Sequence, residues 1–314
     1  MSRPVTLSSP DSSAERAQPF FGLRMKMHVA ARQVEDMLEQ ILPQPAGLHS
    51  RVHEAMRYAI FAGGKRLRPF LVLSCAKLFG VEGSRSLRVA AAIEALHTYS
   101  LIHDDLPCMD DDDLRRGRPT THVAFDEATA VLAGDALLTI AFEILSDPAT
   151  HPSADVRCRL VAELAKAAGS AGMVGGQMID MVAAEQPLGY NETVVLQRMK
   201  TGALFEFCCE AGAILAQASP DDHDRLRNYA RDFGLLFQIT DDLLDAVGTV
   251  ESAGKAVAKD QQQGKATLVS ILGVAGARQE ATRLAQRAGA SLEPYGAEAD
   301  DLRDLPLFLI DRDA

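Results

Sequence analysis

The spacing of apolar residues is the feature that most restricts the fold of this chain. From "MKMHVAARQVEDMLEQIL" (25–42) onward, apolar side chains return every three or four residues, which is the period of an amphipathic α-helix. No apolar–polar alternation is bracketed by hairpin turns, and no low-complexity linker divides the chain. The sequence therefore predicts a single all-α domain of roughly ten or more helices. Beyond the early helices, the period is continuous over 126–146, 153–185, 190–218 and 221–247, with further helices expected near 266–289 and 298–311.

The N-terminal residues differ in composition from this helical pattern. Residues 1–22 begin "MSRPVTLSSPDSSAERAQP", which is rich in Ser and Pro and lacks the apolar core of a secretory signal. We expect a frayed tail there and a domain that covers 23–314. No stretch offers about 20 uninterrupted apolar residues, so no membrane-spanning helix is expected. The net charge of −11 disfavours a nucleic-acid surface and a stable attraction to anionic membranes.

The cysteines indicate a reducing compartment. Their number is odd and no CxxC pair occurs, so neither a disulfide framework nor a zinc site is expected. We interpret them as reduced, buried thiols of a cytoplasmic protein. The cysteines are Cys75, Cys108, Cys158, Cys208 and Cys209.

One acidic cluster lies inside a strongly helical segment, "QITDDLLD" (238–245). Because a helix turns about 100° per residue, Asp241 and Asp245 lie about 40° apart, on one face, with Gln238 close to that face. Asp242 lies about 100° away from Asp241. Two carboxylates one turn apart repel each other, and a divalent metal ion would offset that repulsion.

A second acidic cluster is "HDDLPCMDDDDLRRGRPT" (103–120), which contains Asp104, Asp105 and Asp110. On a straight helix Asp110 would point about 240° away from Asp104. Pro107 predicts a helix kink that turns Asp110 back toward Asp104. We expect Asp111–Asp113 to be largely solvated charge. Carboxylate oxygens without nearby His or Cys favour Mg²⁺ or Mn²⁺ over Zn²⁺.

Cationic residues accompany both acidic clusters. Arginine binds phosphate through two parallel hydrogen bonds, and Mg²⁺ usually completes its coordination shell with water and substrate phosphates. The combination predicts a ligand that carries phosphate groups. The cations are Lys65, Arg68, Arg115, Arg116, Lys200, Lys255 and Lys265.

These motifs together resemble the trans-isoprenyl diphosphate synthase family, and most closely its bacterial farnesyl diphosphate synthases. The resemblance covers about residues 25–313 and rests on the order and spacing of "GGKRLRP", "HTYSLIHDDLPCMDDDDLRRGRPT", "KTGAL", "QITDDLLD" and "DQQQGKAT". It implies helices around a deep central cavity, a homodimer, and three Mg²⁺ ions that Mn²⁺ could replace. The implied reaction joins isopentenyl diphosphate to an allylic diphosphate and gives a trans product that is longer by five carbons.

The resemblance also implies roles for individual residues. Asp104, Asp110 and Asp241 would bind metal directly, and Asp105, Asp242 and Asp245 would assist or bind it through water. The allylic diphosphate would be held by Arg115, Lys200, Thr201, Gln238, Lys255 and Lys265. The isopentenyl diphosphate pocket would consist of Gly64, Lys65, Arg68, His97 and Arg116. The residues expected to be catalytic are Asp104, Asp110, Lys200, Thr201 and Asp241.

Product length is expected to depend on Tyr99, five residues before Asp104. In the family, an aromatic residue here, together with the insertion Pro107–Cys108, resembles enzymes that stop at fifteen carbons. Ser100 is small and adds no further block. We therefore expect (2E,6E)-farnesyl diphosphate from dimethylallyl or geranyl diphosphate, with geranylgeranyl diphosphate as the alternative product.

Other functional classes fit the sequence less well. A terpene cyclase usually carries one DDxxD motif and an Asn/Ser/Glu metal set, whereas this chain has two aspartate clusters. A catalytically silent subunit of a prenyl synthase typically lacks aspartates from one cluster, and both are intact here. "EALH" (94–97) matches the Glu-x-x-His motif of di-iron bundles, but the chain has no second such motif.

Overall fold

The computed structural model describes residues 19–183, 188–251 and 267–311, with side chains described throughout except at 247–251. The first helix begins at Phe21, two residues before the expected start of the domain. Residues 1–18 of the expected tail lie outside the described residues, so that expectation stays a prediction.

The described residues confirm the all-α prediction. A short antiparallel hairpin, β1 (Leu114–Arg115) with β2 (Arg118–Pro119), is their one pair of strands. A π-helical turn spans Arg198–Gly202, and a 3₁₀ segment spans Glu293–Ala299. The α-helices are α1 (Phe21–Ile41), α2 (Ser50–Ile60), α3 (Leu67–Lys77), α4 (Gly83–Asp104), α5 (Thr121–Ala124), α6 (Glu127–Ser146), α7 (Ala154–Ala168), α8 (Met173–Ala183), α9 (Tyr190–Gln197), α10 (Ala203–Ala216), α11 (Pro220–Glu251), α12 (Leu268–Ser291) and α13 (Asp300–Asp311).

Three predicted helices differ from the observed ones. In the helix expected near 266–289, Gly273 has φ +70° and ψ 161°, so α12 is kinked there. The apolar period predicts a continuous helix over 153–185, but the chain breaks between α7 and α8 at "GSAG" (169–172). Two glycines so close together weaken helix continuity, because glycine loses the most backbone entropy when it becomes helical. The segment 190–218 keeps its direction but widens into the π-helical turn before α10. Such turns occur often at functional sites.

Helix α4 forms the centre of the domain and packs against α1, α2, α3, α6 and α10. Residues 89–96 of α4 are all buried, which is typical of a helix surrounded on every side. This position matters for function because α4 ends at the first aspartate cluster.

Helix α6 has the length and mean hydropathy of a membrane-spanning helix. In the fold it lies against α2, α4, α5 and α7, and it carries Glu127, Asp135 and Glu143. Its acidic residues and its packing against four other helices favour a helix that is part of the folded domain over a membrane span.

The prediction of five buried thiols is correct for three cysteines only. Cys75, Cys208 and Cys209 are buried, whereas Cys108 and Cys158 are exposed. Cys108 lies in the turn after Pro107, and Cys158 lies on the outer face of α7, between Arg157 and Arg159. All five are free thiols.

The crossing of α3 and α10 depends on Gly212. A Cβ atom at this position would lie 2.5 Å from the backbone nitrogen of Ala76 and 2.6 Å from the carbonyl carbon of Cys75. Backbone atoms cannot move aside as a flexible side chain can, so the two helices approach this closely because residue 212 has no side chain.

We therefore expect Gly212→Ala to lower the free energy of unfolding by about 1–3 kcal/mol through overpacking. Gly289→Ala is the matched control, because Gly289 lies in α12 and a Cβ atom added there would have no heavy atom within 4 Å. In this control the free energy of unfolding should rise by about 0.5–1 kcal/mol, because alanine favours the helix more than glycine does. Denaturant unfolding monitored by circular dichroism measures both changes. Equal effects of the two substitutions would contradict the close-crossing interpretation.

Candidate active site

The first aspartate cluster lies where α4 ends, because Asp104 is its last residue. The predicted kink at Pro107 is wrong: the helix stops and the chain turns. Proline has no N–H to donate to the carbonyl of His103, and it disfavours helical geometry at Leu106. The turn places the N–H of Asp110 2.8 Å from the carbonyl oxygen of Asp104. Asp110 therefore does return to Asp104, but through a turn instead of a bent helix.

The carboxyl of Asp104 is poorly solvated. Burial raises its pKa to about 6, and the negative charges of Asp110 and Asp105 act in the same direction. The positive charges of Lys200 and Arg115 lower the pKa and only partly offset this effect. Asp104 would consequently gain more from a nearby cation than a fully solvated aspartate would.

Asp105 and Arg115 form an ion pair within the same cluster. Asp105 is buried, and its Oδ1 accepts a hydrogen bond from Nε of Arg115 at 2.6 Å and lies 2.6 Å from Nη2 of the same guanidinium. Burial raises the pKa of Asp105, while Arg115 opposes that rise. Arg115 also lies 3.5 Å from Asp112, so Asp112 is less solvated than we expected, whereas Asp111 and Asp113 are exposed.

The second aspartate cluster lies on α11. Asp242 is buried, and burial raises its pKa to about 6. Its Oδ1 accepts a hydrogen bond from Nε2 of Gln238 at 2.9 Å, and its Oδ2 accepts one from the N–H of Leu268 at 3.3 Å. Asp242 thus links α11 to the start of α12, while Asp241 is half-buried and Asp245 is exposed.

Lys200 and Thr201 lie in the π-helical turn before α10. The turn packs against Gly176 of α8, where a Cβ atom would lie 2.2 Å from the backbone nitrogen of Lys200. Nζ of Lys200 donates to Oδ2 of Asp180 at 2.5 Å, and the hydroxyl of Thr201 donates to Oε1 of Gln238 at 3.5 Å. Sequence reasoning did not identify Asp180. The signal available was "GGQMID", in which two glycines allow a close helix approach near an aspartate.

A second group of cations surrounds the loop between α2 and α3. Gly64 adopts φ +134°, and a Cβ atom there would lie 2.6 Å from the guanidinium carbon of Arg116. Arg116 also donates a hydrogen bond to the carbonyl oxygen of Gly63. Lys65, between these groups and α3, is exposed. The glycine therefore admits the arginine side chain against the loop backbone.

Arg68 and His97 are in direct contact beside this loop. Nη1 of Arg68 lies 3.2 Å from Nε2 of His97, and its guanidinium stacks 4.7 Å from the ring centre of Phe205. Burial and the surrounding arginines hold the pKa of His97 well below its usual value, so the ring is neutral and its Nε2 accepts from Arg68. Nε of Arg68 is buried and has no protein hydrogen-bond partner among the described residues.

The donor set fits Mg²⁺ better than a metal held by protein alone. Among the described residues, no three His, Cys, Asp or Glu side chains gather around one point. Mg²⁺ is typically held by one or two carboxylates and completed by water and phosphate oxygens, which suits separate aspartates with raised pKa values. Lys255 and Lys265 lie outside the described residues, and their roles stay predictions.

Tyr99 is buried on α4, below the aspartate cluster. Its ring meets His103 edge to face, with ring centres 5.5 Å apart at 87°. The hydroxyl of Ser100 donates to the carbonyl oxygen of His97 at 2.8 Å, so this side chain faces its own helix backbone. A fixed aromatic ring with a small neighbour is compatible with the expected role of Tyr99 in product length.

The raised pKa of Asp104 predicts a stability effect of known sign. Its folded-state pKa, about 6, exceeds the ordinary aspartate value of 3.8, so ionisation of Asp104 destabilises the native state. This destabilisation is complete above about pH 6 and becomes smaller as the pH falls toward 4. Asp104→Asn should therefore raise the thermal midpoint of the metal-free protein at about pH 7.5, and raise it less at about pH 5. Differential scanning fluorimetry in EDTA measures this.

Asp113→Asn, in the exposed part of the same run, is the control and should change stability by less than about 0.5 kcal/mol. An Asp104→Asn effect that does not depend on pH would show that poor solvation of the carboxylate is not its cause.

Comparison with known proteins identifies the family of the chain. Residues 49–296 match the polyprenyl synthetase family. The chain is 49% identical to farnesyl diphosphate synthase of Bacillus subtilis over 226 residues, 72% of this chain and 76% of that one. It is 42% identical to farnesyl diphosphate synthase of Escherichia coli over 297 residues, 91% and 98% of the two chains. The structure of an FPP/GFPP synthase from Zymomonas mobilis superimposes with a TM-score of 0.84 at 49% identity, covering 92% of this chain and 99% of that one. The chain therefore belongs to the polyprenyl synthetase family of prenyltransferases.

Proposed function

We propose that this protein is a farnesyl diphosphate synthase, which condenses isopentenyl diphosphate with dimethylallyl or geranyl diphosphate to give (2E,6E)-farnesyl diphosphate. The observation that carries the proposal is the presence of two separate cation groups in one domain. Lys200 and Arg115 lie beside the aspartates, whereas Arg68 and Arg116 lie beside the loop of Gly63 and Gly64. Two cation groups suit two diphosphate substrates.

The proposed reaction breaks the C–O bond of the allylic diphosphate and forms a C–C bond to isopentenyl diphosphate. Inorganic diphosphate and one proton leave. Mg²⁺, when bound, supplies positive charge that stabilises a departing diphosphate. We assign its direct ligands to Asp104, Asp110 and Asp241, with Asp105, Asp242 and Asp245 in assisting roles. We propose three ions per site and replacement by Mn²⁺.

The allylic diphosphate would be bound by Lys200, Thr201 and Gln238 together with Arg115. Oδ2 of Asp180 accepts a hydrogen bond from the Lys200 ammonium. Gln238 connects Thr201 to Asp242 through consecutive hydrogen bonds, so the substrate-facing amide and the second aspartate cluster have linked positions. This link would orient the allylic substrate relative to the aspartates.

The isopentenyl diphosphate would be bound by Arg68 and Arg116, with His97, Gly64 and Lys65 nearby. The unpartnered Nε of Arg68 offers a donor for a phosphate oxygen. Neutral His97 adds no further positive charge and orients the Arg68 guanidinium. This pocket therefore needs no metal ion to attract a diphosphate.

We also propose a homodimer and a cytoplasmic location. Helix α6 leaves Val131 and Leu132 exposed, an apolar surface that a second copy would cover. The free state of all five cysteines suits a reducing compartment.

Turnover assays distinguish the proposed function from its alternatives. Purified protein is incubated with Mg²⁺, isopentenyl diphosphate and either dimethylallyl or geranyl diphosphate, and the products are separated by chromatography. A linear C15 diphosphate supports the proposal and linear C20 indicates a geranylgeranyl diphosphate synthase. A cyclic hydrocarbon would indicate a terpene cyclase, and no turnover a silent subunit.

Product length provides a sharper prediction. Replacing Tyr99 by Ala should shift the products to C20 or longer, because it removes a buried ring that would stop the growing chain. Tyr99→Phe is the matched control, since it keeps the ring and loses the hydroxyl, and it should still stop at C15. Chromatography of the dephosphorylated products measures both variants. If the Ala variant still stops at C15, Tyr99 is not the floor of the tail cavity.

A further inference from the structure

The loop that carries Gly64 and Lys65 has an unfavourable backbone. Gly63 and Gly64 have φ of +85° and +134°, which glycine adopts easily, but Arg66 has φ of +47°. Left-handed geometry is disfavoured for a residue with a Cβ atom, so side-chain contacts must hold Arg66 in place. The position of the whole loop therefore depends on what Arg66 binds.

Arg66 is bound almost entirely inside the protein. Its side chain is 1% exposed, and its guanidinium donates to the carboxylate of Glu94 and to the carbonyl oxygen of Ile60. It also lies 3.2 Å from Oε1 of Glu35, which is 37% exposed. Glu94 is 2% exposed, so Arg66 and Glu94 form a buried ion pair between the loop and α4.

Glu94 lies one turn before His97 on α4, and the two side chains bind alternate arginines of "KRLR". Glu94 binds Arg66, and His97 contacts Arg68 at 3.2 Å. The Glu-x-x-His sequence is thereby explained without a metal: it attaches the loop and the start of α3 to one face of α4. The sequence motifs assign a role to His97 and Arg68 but none to Glu94 and Arg66.

Glu94 also balances charge in this region. Burial lowers the pKa of the Arg68 and Arg116 guanidinium groups, and the negative charge of Glu94 raises both pKa values in the opposite direction. Removal of one partner of a buried pair leaves the other charge uncompensated, which is far more disruptive than loss of a surface pair.

We propose that Glu94 is a positioning residue for the isopentenyl diphosphate pocket, acting through Arg66 to fix the loop of Gly64 and Lys65. This inference rests on the proposed function. In the described part of the chain, no hydrogen bond or ion pair joins Glu94 or Arg66 to Lys200, Thr201 or Gln238, which we assign to the allylic substrate. A change at Glu94 should therefore alter the KM for isopentenyl diphosphate and leave the KM for the allylic substrate nearly unchanged.

Steady-state kinetics of the full-length enzyme test the proposal. Glu94→Gln keeps the side-chain shape and removes the charge. It should raise the KM for isopentenyl diphosphate roughly tenfold or more, because the buried guanidinium of Arg66 loses its charged partner. The KM for geranyl diphosphate should stay within about threefold. Glu35→Gln is the matched control, because it changes the partly exposed acceptor of the same guanidinium, and should alter both KM values by less than about threefold.

Two outcomes in a folded Glu94→Gln variant would overturn the proposal: an unchanged KM for isopentenyl diphosphate, or equal rises for both substrates. Should that variant fail to fold by circular dichroism, Glu94→Asp decides, since it keeps the charge and shortens its reach. A selective rise in the KM for isopentenyl diphosphate then supports the proposal, and wild-type KM values overturn it. Failure of the proposed function is seen separately, as absence of condensation by the wild-type enzyme.

Discussion

The poor solvation of two aspartates, Asp104 and Asp242, is the constraint on which the rest of the site depends. Burial is the main cause that raises the pKa of each carboxyl to about 6. A carboxylate in such a position makes the unliganded protein less stable at neutral pH and makes binding of a cation more favourable. Stability given up at a functional site in this way is a common trade-off in enzymes.

The surrounding structure offsets part of this unfavourable charge. Lys200 and Arg115 lie near Asp104, while Gln238 and the N–H of Leu268 bind Asp242. The offset is incomplete, because both pKa values remain raised. Two turns earlier on α4 the imbalance is reversed, since the positive charges of Arg66, Arg68 and Arg116 surround a neutral His97. One region attracts cations and the other attracts anions, and α4 carries residues of both.

The helical architecture could be predicted from sequence because a buried helix face leaves a regular apolar period. The sequence showed that Pro107 would disrupt the helix. The conformation that follows Pro107 depends on turn hydrogen bonds, such as that from Asp110 to Asp104, and these leave no trace in the apolar period of the sequence. The site aspartates stood out as clusters within short stretches of chain. The ion pairs of Asp180 and Glu94 could not be predicted in this way, because their partners Lys200 and Arg66 are 20 and 28 residues away. Pairs of this kind exist only after the helices have packed.

In the function that we propose, aspartates from two distant segments bind divalent metal jointly with an allylic diphosphate. Calorimetric titration with an unreactive allylic thiolodiphosphate tests it most directly, in Mg²⁺ and in EDTA, for the wild type and for Asp104→Asn and Asp241→Asn. We predict tight binding only for the wild type in Mg²⁺, with affinity lower by about 100-fold or more in the other cases, equivalent to about 2.7 kcal/mol. Wild-type affinity in EDTA, or full Mg²⁺-dependent affinity in either variant, would contradict the claim.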